Sequence, residues 1–500
     1  MKLNSANLEQ IRQSGAVEVF DYDRSALKPG IAHFGVGGFH RAHQARYLDE
    51  LLRRGEAFDF GIVGIGVMPS DVAMRDALVS QDCLYTLVEK PAHGEPHARV
   101  IGSIVDYLFA PEDPSYVVQT LAGSNIRIVS LTVTEGGYNF DQVTGEFKRD
   151  TPAVSADIDD LREGRHDCLR TFFGFITAAL AIRREQGQTP FTVMSCDNIQ
   201  GNGDMVKAML LAFAHEVDPD LAAWIAENVT FPNSMVDRIT PETTDEDRSE
   251  VAEKFGIEDA WPVVSEDFTQ WVIEDAFVDA RPPYEHVGVQ VVSDVEPYEL
   301  MKLRLLNASH QGLAYFGYLA GHRLVHDVMA DEAFRDFLLQ YMKQEATPTL
   351  KELPGVDVEA YQLRLIERFG NAAVRDTVPR LAAESSDRIP KWLVPVVREN
   401  LATGTQVTLS AAIVASWARY AEGVDEQGNA IAIRDRLADE LTQAARRRDS
   451  DPVSFLRDQS LFGDLAEVEA FTTPYLDALE RLHRDGAQRT VEYLVQATRS

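Results

Sequence analysis

A lysine, an asparagine and a histidine interrupt a leucine-rich segment at residues 301–310, at spacings of five and three. In an α-helix, where each residue turns the chain by about 100°, Lys302, Asn307 and His310 fall on one side together with Glu299. A lysine among leucines is poorly solvated, and desolvation lowers the pKa of an amine towards neutrality. Such an amine can act as a general base. The alternative is structural: Lys302 and Arg304 extend to water, and Asn307 and His310 are ordinary polar groups at a helix contact.

A short apolar strand is predicted at residues 31–36, where the sequence runs into Gly35-Val36-Gly37-Gly38. A helix is predicted directly afterwards, over residues 39–54. Strand, glycine turn and helix form the start of the dinucleotide fingerprint, in which small residues let the backbone approach a pyrophosphate. The third glycine of the fingerprint is absent, and His40 takes its place. The pattern predicts a dinucleotide site, with an ordinary tight turn of an α/β fold as the alternative.

An acid after the second strand bears on the choice of cofactor. The fingerprint places a carboxylate there, where it accepts hydrogen bonds from the ribose hydroxyls. Asp59 opens the strand predicted at residues 58–66 and so lies at the wrong end, whereas Asp71 follows the strand and its turn. Asp71 would repel a 2′-phosphate, which indicates NAD. Ser70 can donate to that phosphate, so use of NADP stays open, and Asp71 can also be a helix cap.

Strands and helices alternate in the first part of the chain, which predicts a parallel sheet with crossover helices. Further strands are predicted at residues 83–89, 99–106, 125–134 and 191–196, and helices at 71–79, 116–122, 169–184 and 204–215. Helical patterns dominate after residue 297, at 298–320, 331–345, 358–369 and 407–420. We therefore expect an α/β chain in which a Rossmann-like doubly wound domain, residues 1–290, precedes a mainly α-helical domain, residues 291–500.

Composition argues against several classes of protein. The 500 residues carry a formal net charge of −31, which disfavours nucleic acid or an anionic membrane as a partner because such binding needs a basic surface. No apolar run has the length of a membrane span, and no secretory leader is visible. These features predict a cytoplasmic protein.

We expect no metal site. The cysteines Cys83, Cys168 and Cys196 lie far apart and form no C-x-x-C pair. His40 and His43 form an H-x-x-H pair on a predicted helix, but no third ligand of matching kind lies nearby.

Taken together, these features resemble the polyol-specific long-chain dehydrogenases, the mannitol dehydrogenase family. The resemblance runs essentially the full length of the chain. Besides the helix at residues 301–310, it rests on Gly35-Val36-Gly37-Gly38-Phe39-His40-Arg41-Ala42-His43-Gln44, Thr134-Glu135-Gly136-Gly137-Tyr138, Ser195-Cys196-Asp197-Asn198 and Phe231-Pro232-Asn233-Ser234-Met235-Val236-Asp237-Arg238-Ile239-Thr240.

The resemblance implies metal-independent oxidation of a polyol secondary alcohol to a ketose with NAD. The expected reaction is the oxidation of D-mannitol to D-fructose. Lys302 would accept the hydroxyl proton, while Asn198 and Asn307 would donate to the substrate oxygen as an oxyanion hole does. His310 would orient a neighbouring hydroxyl, and Glu299 would pass the lysine proton to water. A polyol or ketose is thus the expected small-molecule partner, and the family resemblance suggests a monomer.

The remaining site residues also come from the resemblance and the fingerprint. Three are expected to contact the substrate: Asp237, Arg380 and Arg388. The cofactor is expected to contact Gly35, Gly37, Gly38, Phe39, Arg41, Asp71, Thr134 and Glu135, with Arg41 near its phosphates.

Two kinds of alternative stay open. The substrate can be a related compound, D-arabinitol, D-sorbitol or the hexuronate D-fructuronate, which would need further cations at its carboxylate. From another class, the chain can be an NAD-binding regulator without activity. The presence of Lys302 with Asn198 and Asn307 argues against a regulator, since a sensor needs no base.

Overall fold

A computed structural model of the chain describes residues 1–141 and 145–498. The chain forms two compact units, Met1–Glu296 and Pro297–Ser500. The boundary expected at residue 290 lies shortly before this division. The strand Gln290–Val292 pairs within the first unit, and it carries that unit past the expected boundary.

The strands of the first unit are numbered here in chain order. They are β1 Pro29–Phe34, β2 Gly61–Gly66, β3 Tyr85–Lys90, β4 His97–Ile101, β5 Ile104–Phe109, β6 Ile128–Leu131, β7 Thr192–Ser195, β8 Ser234–Asp237, β9 Val263–Glu266, β10 Gln270–Glu274 and β11 Gln290–Val292. Five of them form one parallel sheet in the order β5-β2-β1-β6-β7. The strand order reverses beside β1, which has β2 on one side and β6 on the other. In such sheets, ligands bind at the carboxyl ends of the strands at this switch point.

Hydrophobic cores cover both faces of the parallel sheet. Ala32 and Phe34 of β1 belong to one core and Ile31 to the other, as the alternation of side chains along a strand requires. Helix Phe172–Glu185 packs in the first core and helix Gln44–Arg53 in the second. The predicted Rossmann-like arrangement is confirmed for this unit.

The helices of the first unit connect these strands. The α-helices are Leu8–Ser14, Gly38–Ala42, Gln44–Arg53, Val72–Val79, Pro114–Ala122, Thr134–Gly137, Pro152–Arg162, Phe172–Glu185, Asn202–Val217, Pro219–Asn228 and Asp245–Phe255, and the 3₁₀ turns are Ser5–Asn7, Arg24–Ala26, Pro69–Asp71 and Tyr284–Val287. The single helix predicted over residues 39–54 is wrong at His43, whose φ of −119° and ψ of −86° separate two helices. The His43 ring bonds to the carbonyl of Gln270 at 2.8 Å, which fixes the break.

Two smaller sheets, in the orders β11-β10-β8 and β4-β3-β9, complete the first unit. The single strand predicted over residues 99–106 is wrong, because β4 and β5 belong to different sheets. The chain passes Gly102 between them, where a Cβ would lie 2.6 Å from the Phe20 ring. That close approach accounts for the glycine at the break.

The second unit is helical, as predicted. Its segments are Glu296–Met301, Lys302–Asn307, Ala308–Leu319, Val325–Met329, Glu332–Tyr341, Met342–Ala346, Thr347–Thr349, Val358–Phe369, Val378–Leu381, Ser385–Trp392, Val394–Thr403, Thr408–Ala421, Ala438–Ala445, Ser454–Arg457, Gln459–Phe462, Leu465–Glu467, Glu469–Asp485 and Ala487–Ala497. Helices Ala308–Leu319 and Thr408–Ala421 are buried over almost their whole length and pack against each other. Among the described residues of the chain, no helix combines the length and apolarity of a membrane span.

Candidate active site

The glycine turn follows β1 at the switch point of the parallel sheet. Gly35 has a φ of +88°, in the region that favours glycine. A Cβ at Gly35 would collide with the carbonyl oxygen of Thr132, and the Thr132 hydroxyl donates a hydrogen bond to the Gly35 carbonyl at 2.6 Å. Conformation and space both require glycine at this position.

Gly37 occupies a different environment in the same turn. Its φ is −83°, which any residue adopts, and a Cβ there would meet no protein atom within 4 Å. Gly38 begins the next helix, and a Cβ on it would lie 3.5 Å from the Thr240 methyl group. Phe39 stacks on His43 with ring centroids 4.9 Å apart. The open space at Gly37, beside a helix N-terminus, fits a dinucleotide pyrophosphate.

Asp71 lies beyond the carboxyl end of β2, as the fingerprint requires. A Cβ on Gly66, the last residue of that strand, would lie 2.8 Å from the Asp71 Cβ. The Asp71 carboxylate accepts a hydrogen bond from the Met68 N–H at 2.9 Å and so caps the turn Pro69–Asp71. The capping role is confirmed, and the contact with a ribose stays a prediction.

Asp197 connects the segments that follow β6 and β7 by hydrogen bonds. Thr134 and Glu135 lie in the first of these segments and Asn198 in the second. The buried Asp197 carboxylate accepts hydrogen bonds from the N–H groups of Val133 at 3.0 Å and Thr134 at 2.8 Å. It also accepts one from the Tyr138 hydroxyl at 2.7 Å. Burial raises the pKa of Asp197, although these hydrogen bonds oppose the rise. Thr134 has a φ of +63°, an uncommon conformation for a β-branched residue that clusters at functional sites.

The N–H of Arg41 donates to the Gly37 carbonyl of the glycine turn at 3.2 Å, but its guanidinium has other partners. Its guanidinium is fully buried, bonds to the carbonyl of Trp261 and lies 5.2 Å from the centre of the Tyr85 ring. Burial lowers the pKa of Arg41 to about 10. A fully buried guanidinium cannot contact a bound phosphate unless its surroundings move, so the structure argues against the expected phosphate contact.

The first unit also contains Asn198 and Asp237. Asn198 follows Asp197 and is exposed, whereas Asp237 ends β8 and is buried. The next residue, Arg238, is buried as well and pairs with Glu89 at 2.6 Å. Arg238 thereby fixes the main chain at the end of β8, from which Asp237 projects.

The segment Lys302–Asn307 of the second unit is a π-helix, so the α-helix predicted over residues 298–320 is wrong here. Its wide turns are visible at Ala308, whose N–H bonds to the carbonyl of Leu303, five residues before. In an α-helix, residues five apart would be separated by about 140° around the axis. A turn closed by bonds between residues five apart returns the chain to nearly the same side. Lys302 and Asn307 therefore lie closer together around the axis than predicted.

Lys302, Asn307, His310 and Glu299 are all buried. Lys302 and His310 are 8 % exposed, Glu299 is 6 % exposed and Asn307 is 5 % exposed. The His310 ring packs against Phe369, with centroids 4.4 Å apart. The burial of Lys302 argues against the part of the structural alternative in which this side chain extends to water. The roles of Asn307 and His310 stay predictions.

Arg380 is held by a carboxylate that sequence reasoning did not single out. Asp376 accepts hydrogen bonds from the Arg380 Nε at 2.7 Å and Nη2 at 2.6 Å. Burial alone would raise the pKa of Asp376, but Arg380, with a smaller contribution from His310, holds that pKa below its ordinary value. Arg388 donates to the carbonyl of Leu381 at 3.0 Å. Asp376 thus holds Arg380, and Arg388 donates to the end of the helix Val378–Leu381 that contains Arg380.

Comparison with known proteins agrees with this geometry. Residues 29–286 match the model of the mannitol dehydrogenase Rossmann domain, and residues 294–497 match that of the mannitol dehydrogenase C-terminal domain. The chain belongs to the mannitol dehydrogenase family. This confirms the resemblance inferred from the motifs and the expected class of enzyme, a polyol dehydrogenase.

Three proteins similar to this chain are named for two substrates, mannitol and D-sorbitol. Mannitol 2-dehydrogenase of Aspergillus fumigatus is 47 % identical over an alignment of 498 residues, and the match covers 98 % of each chain. A solved ternary complex of Pseudomonas fluorescens mannitol 2-dehydrogenase with NAD and D-mannitol is 41 % identical, with a TM-score of 0.87 over 99 % of this chain and 100 % of that one. A solved D-sorbitol dehydrogenase in substrate-free form is 36 % identical, with a TM-score of 0.90 over 98 % and 100 %.

Sequence reasoning did not single out Asp376 and Asp197, which hold other residues of the candidate site by hydrogen bonds. Asp376 stands four residues before Arg380, the spacing of an acid–base pair on a helix, and this was the available signal. Asp197 follows a buried strand, where parallel sheets collect functional groups. Over residues 1–141 and 145–498, no group of three or more histidine, cysteine, aspartate or glutamate side chains is arranged to hold a metal ion.

Proposed function

We propose that this polyol dehydrogenase oxidises a secondary alcohol of a hexitol to the ketose, with D-mannitol to D-fructose as the preferred pair. The observation that carries the proposal is the buried π-helical segment Lys302–Asn307, which presents an amine and a carboxamide one turn apart. Among similar proteins, the solved Pseudomonas fluorescens enzyme is a complex with NAD and D-mannitol. This pairing supports both the substrate and the cofactor.

Lys302 is the proposed general base. Its neutral amine takes the hydroxyl proton as the substrate C–O bond becomes a carbonyl, and the carbon gives up its hydrogen as hydride. Asn307 and Asn198 donate hydrogen bonds to the substrate oxygen, where charge develops in the transition state. Glu299, three residues before the lysine, then carries the proton to water.

NAD, when bound, supplies the hydride acceptor. Gly37 leaves the space for its pyrophosphate, and the strained loop at Thr134 and Glu135 faces the same end of the sheet. Asp71 accepts hydrogen bonds from the adenosine ribose and disfavours a 2′-phosphate. Ser70 is exposed beside it, so we propose a preference for NAD in which NADP is still used.

The remaining hydroxyls of the substrate need donors and acceptors of their own. His310 orients the hydroxyl next to the reacting carbon, and Arg380, whose side chain is 58 % exposed, contacts a further one. Asp376 fixes the direction of the Arg380 guanidinium by two hydrogen bonds. Asp237 and Arg388 complete the proposed set.

A panel of substrates tests the proposal. Initial rates of NAD reduction are measured with D-mannitol, D-sorbitol and D-arabinitol, and rates of NADH oxidation with D-fructose and D-fructuronate. We expect the highest kcat/KM among the polyols for D-mannitol, with D-sorbitol second because a D-sorbitol dehydrogenase is a close structural neighbour. A higher kcat/KM for D-fructuronate than for D-fructose would contradict the substrate class, and no turnover with any compound would favour a regulator.

A further inference from the structure

The π-helical segment Lys302–Asn307 shifts the main-chain hydrogen bond that an α-helix would give to the Arg304 carbonyl. In an α-helix, the Ala308 N–H would bond to the carbonyl of Arg304, four residues before. It bonds to the carbonyl of Leu303 instead. The Arg304 carbonyl accepts a hydrogen bond from the Tyr341 hydroxyl at 3.1 Å, and this tyrosine is fully buried. The Tyr341 hydroxyl therefore gives the Arg304 carbonyl the hydrogen bond that the Ala308 N–H would give it in an α-helix.

We propose that Tyr341 is a positioning residue: its hydroxyl holds segment Lys302–Asn307 in the π-helical form and so sets where the proposed base and amide stand. This inference rests on the roles proposed above for those two residues. A buried carbonyl left without a donor costs about 1–3 kcal/mol, and π-helical turns are rare. The hydroxyl offsets that cost at the place where the turn is needed.

Tyr341 is itself fixed in position. It ends helix Glu332–Tyr341 and directly precedes a second π-helical segment, Met342–Ala346. The two π-helical segments pack against each other. Within the second segment, the Glu345 carboxylate accepts two main-chain N–H groups at the start of helix Thr408–Ala421, at 2.7 and 2.8 Å. Tyr341 therefore contacts the segment Lys302–Asn307 from a position next to Met342–Ala346, which Glu345 holds by hydrogen bonds.

Tyr341→Phe removes the hydroxyl and nothing else. The control is Tyr475→Phe, which removes the same atom from a fully buried tyrosine of helix Glu469–Asp485. Among the described residues, the Tyr475 hydroxyl has no hydrogen-bond partner, so this variant reports the loss of a buried hydroxyl without the contact. Each purified full-length variant is assayed for kcat, KM, NAD binding and the isotope effect on kcat with D-mannitol deuterated at the oxidised carbon.

We expect Tyr341→Phe to lower kcat by about tenfold, as a loss of about 1.4 kcal/mol in the transition state would. The isotope effect should increase because hydride transfer becomes slower relative to product release, while NAD affinity stays unchanged. Tyr475→Phe should match the wild type in all four quantities. If the substitution only reduced the amount of folded protein, activity would fall while the isotope effect stayed unchanged. That result would overturn the positioning role, and so would an unchanged kcat.

The failure of this inference is distinct from the failure of the proposed function. If Lys302→Ala is inactive and Tyr341→Phe behaves like Tyr475→Phe, only the positioning role is lost. If Lys302→Ala retains wild-type turnover, the proposed role of Lys302 as the base fails. If the wild-type protein turns over none of the polyols, the proposed function itself fails. Should Tyr341→Phe not fold, 4-aminophenylalanine at position 341 keeps a hydrogen-bond donor in place. That variant should retain kcat, and a loss of about tenfold (about 1.4 kcal/mol) in the folded protein would overturn the role.

Discussion

Replacing Gly37 by alanine should separate cofactor binding from folding. A Cβ at this position meets no protein atom within 4 Å, and its φ of −83° suits alanine. The free energy of unfolding should therefore change by no more than about 0.5 kcal/mol. If the open space receives the NAD pyrophosphate, the new methyl group overpacks it at a cost of about 1–3 kcal/mol. That cost corresponds to a rise in the NAD dissociation constant of roughly 5- to 150-fold.

The control is Gly35→Ala, two residues earlier in the same turn. Here the φ of +88° and the collision with Thr132 should lower stability by at least about 1–2 kcal/mol. The assay combines thermal unfolding of the free protein with a fluorescence titration of NADH. A Gly37→Ala variant that binds NADH as tightly as the wild type would refute the placement of the pyrophosphate.

Three further substitutions test other parts of the site. Asp71→Ala should raise the ratio of kcat/KM for NADP to that for NAD by about tenfold, equivalent to about 1.4 kcal/mol; if steady-state assays show the same ratio, the carboxylate is only a cap. Asp376→Asn should raise KM for D-mannitol roughly 5- to 30-fold, because Arg380 loses the carboxylate that orients it and substrate binding weakens by about 1–2 kcal/mol. An unchanged KM would show that Asp376 does not contribute to the substrate site. Burial raises the pKa of Glu345 to about 7 from its ordinary 4.5. The protonated carboxyl therefore stabilises the folded state, by up to about 3 kcal/mol. This stabilisation is complete below about pH 4.5 and is lost as the pH rises through about 7. The Tm of the wild type minus that of Glu345→Gln should accordingly fall between pH 5 and pH 8, whereas a constant difference would contradict the shift.

The parallel sheet was predictable from the sequence because buried strands such as β1 and β6 are short apolar runs between helices. The break at His43 was not, because a ring contact with Gln270 distant in sequence decides it. The division at Gly102 escaped prediction for the same reason, since Phe20 crowds that position. Local pattern thus sufficed for the main sheet, and tertiary contacts decided where elements were interrupted.

In the candidate site, too, contacts between residues distant in sequence decide what local pattern could not predict. Lys302 and Asn307 were recognisable as polar residues in a leucine-rich helix, but their π-helical arrangement depends on the Tyr341 hydroxyl, which a pattern within the helix cannot reveal. The phosphate contact expected of Arg41 came from its place beside a glycine turn, whereas the contacts of its buried guanidinium with Trp261 and Tyr85 come from other strands and loops. Cytoplasmic location and a monomeric state stay predictions.

Single-turnover hydride transfer in Lys302→Ala tests the central claim most directly. The assay mixes enzyme and NAD with D-mannitol and follows NADH formation, while a separate titration measures NAD affinity. The control is Lys343→Ala, which removes an exposed lysine of the same unit that pairs with Glu359. We predict a rate loss of about 10²- to 10⁴-fold for Lys302→Ala with unchanged NAD affinity, and a wild-type rate for the control. Hydride transfer at the wild-type rate in Lys302→Ala would contradict the role of this amine as the base.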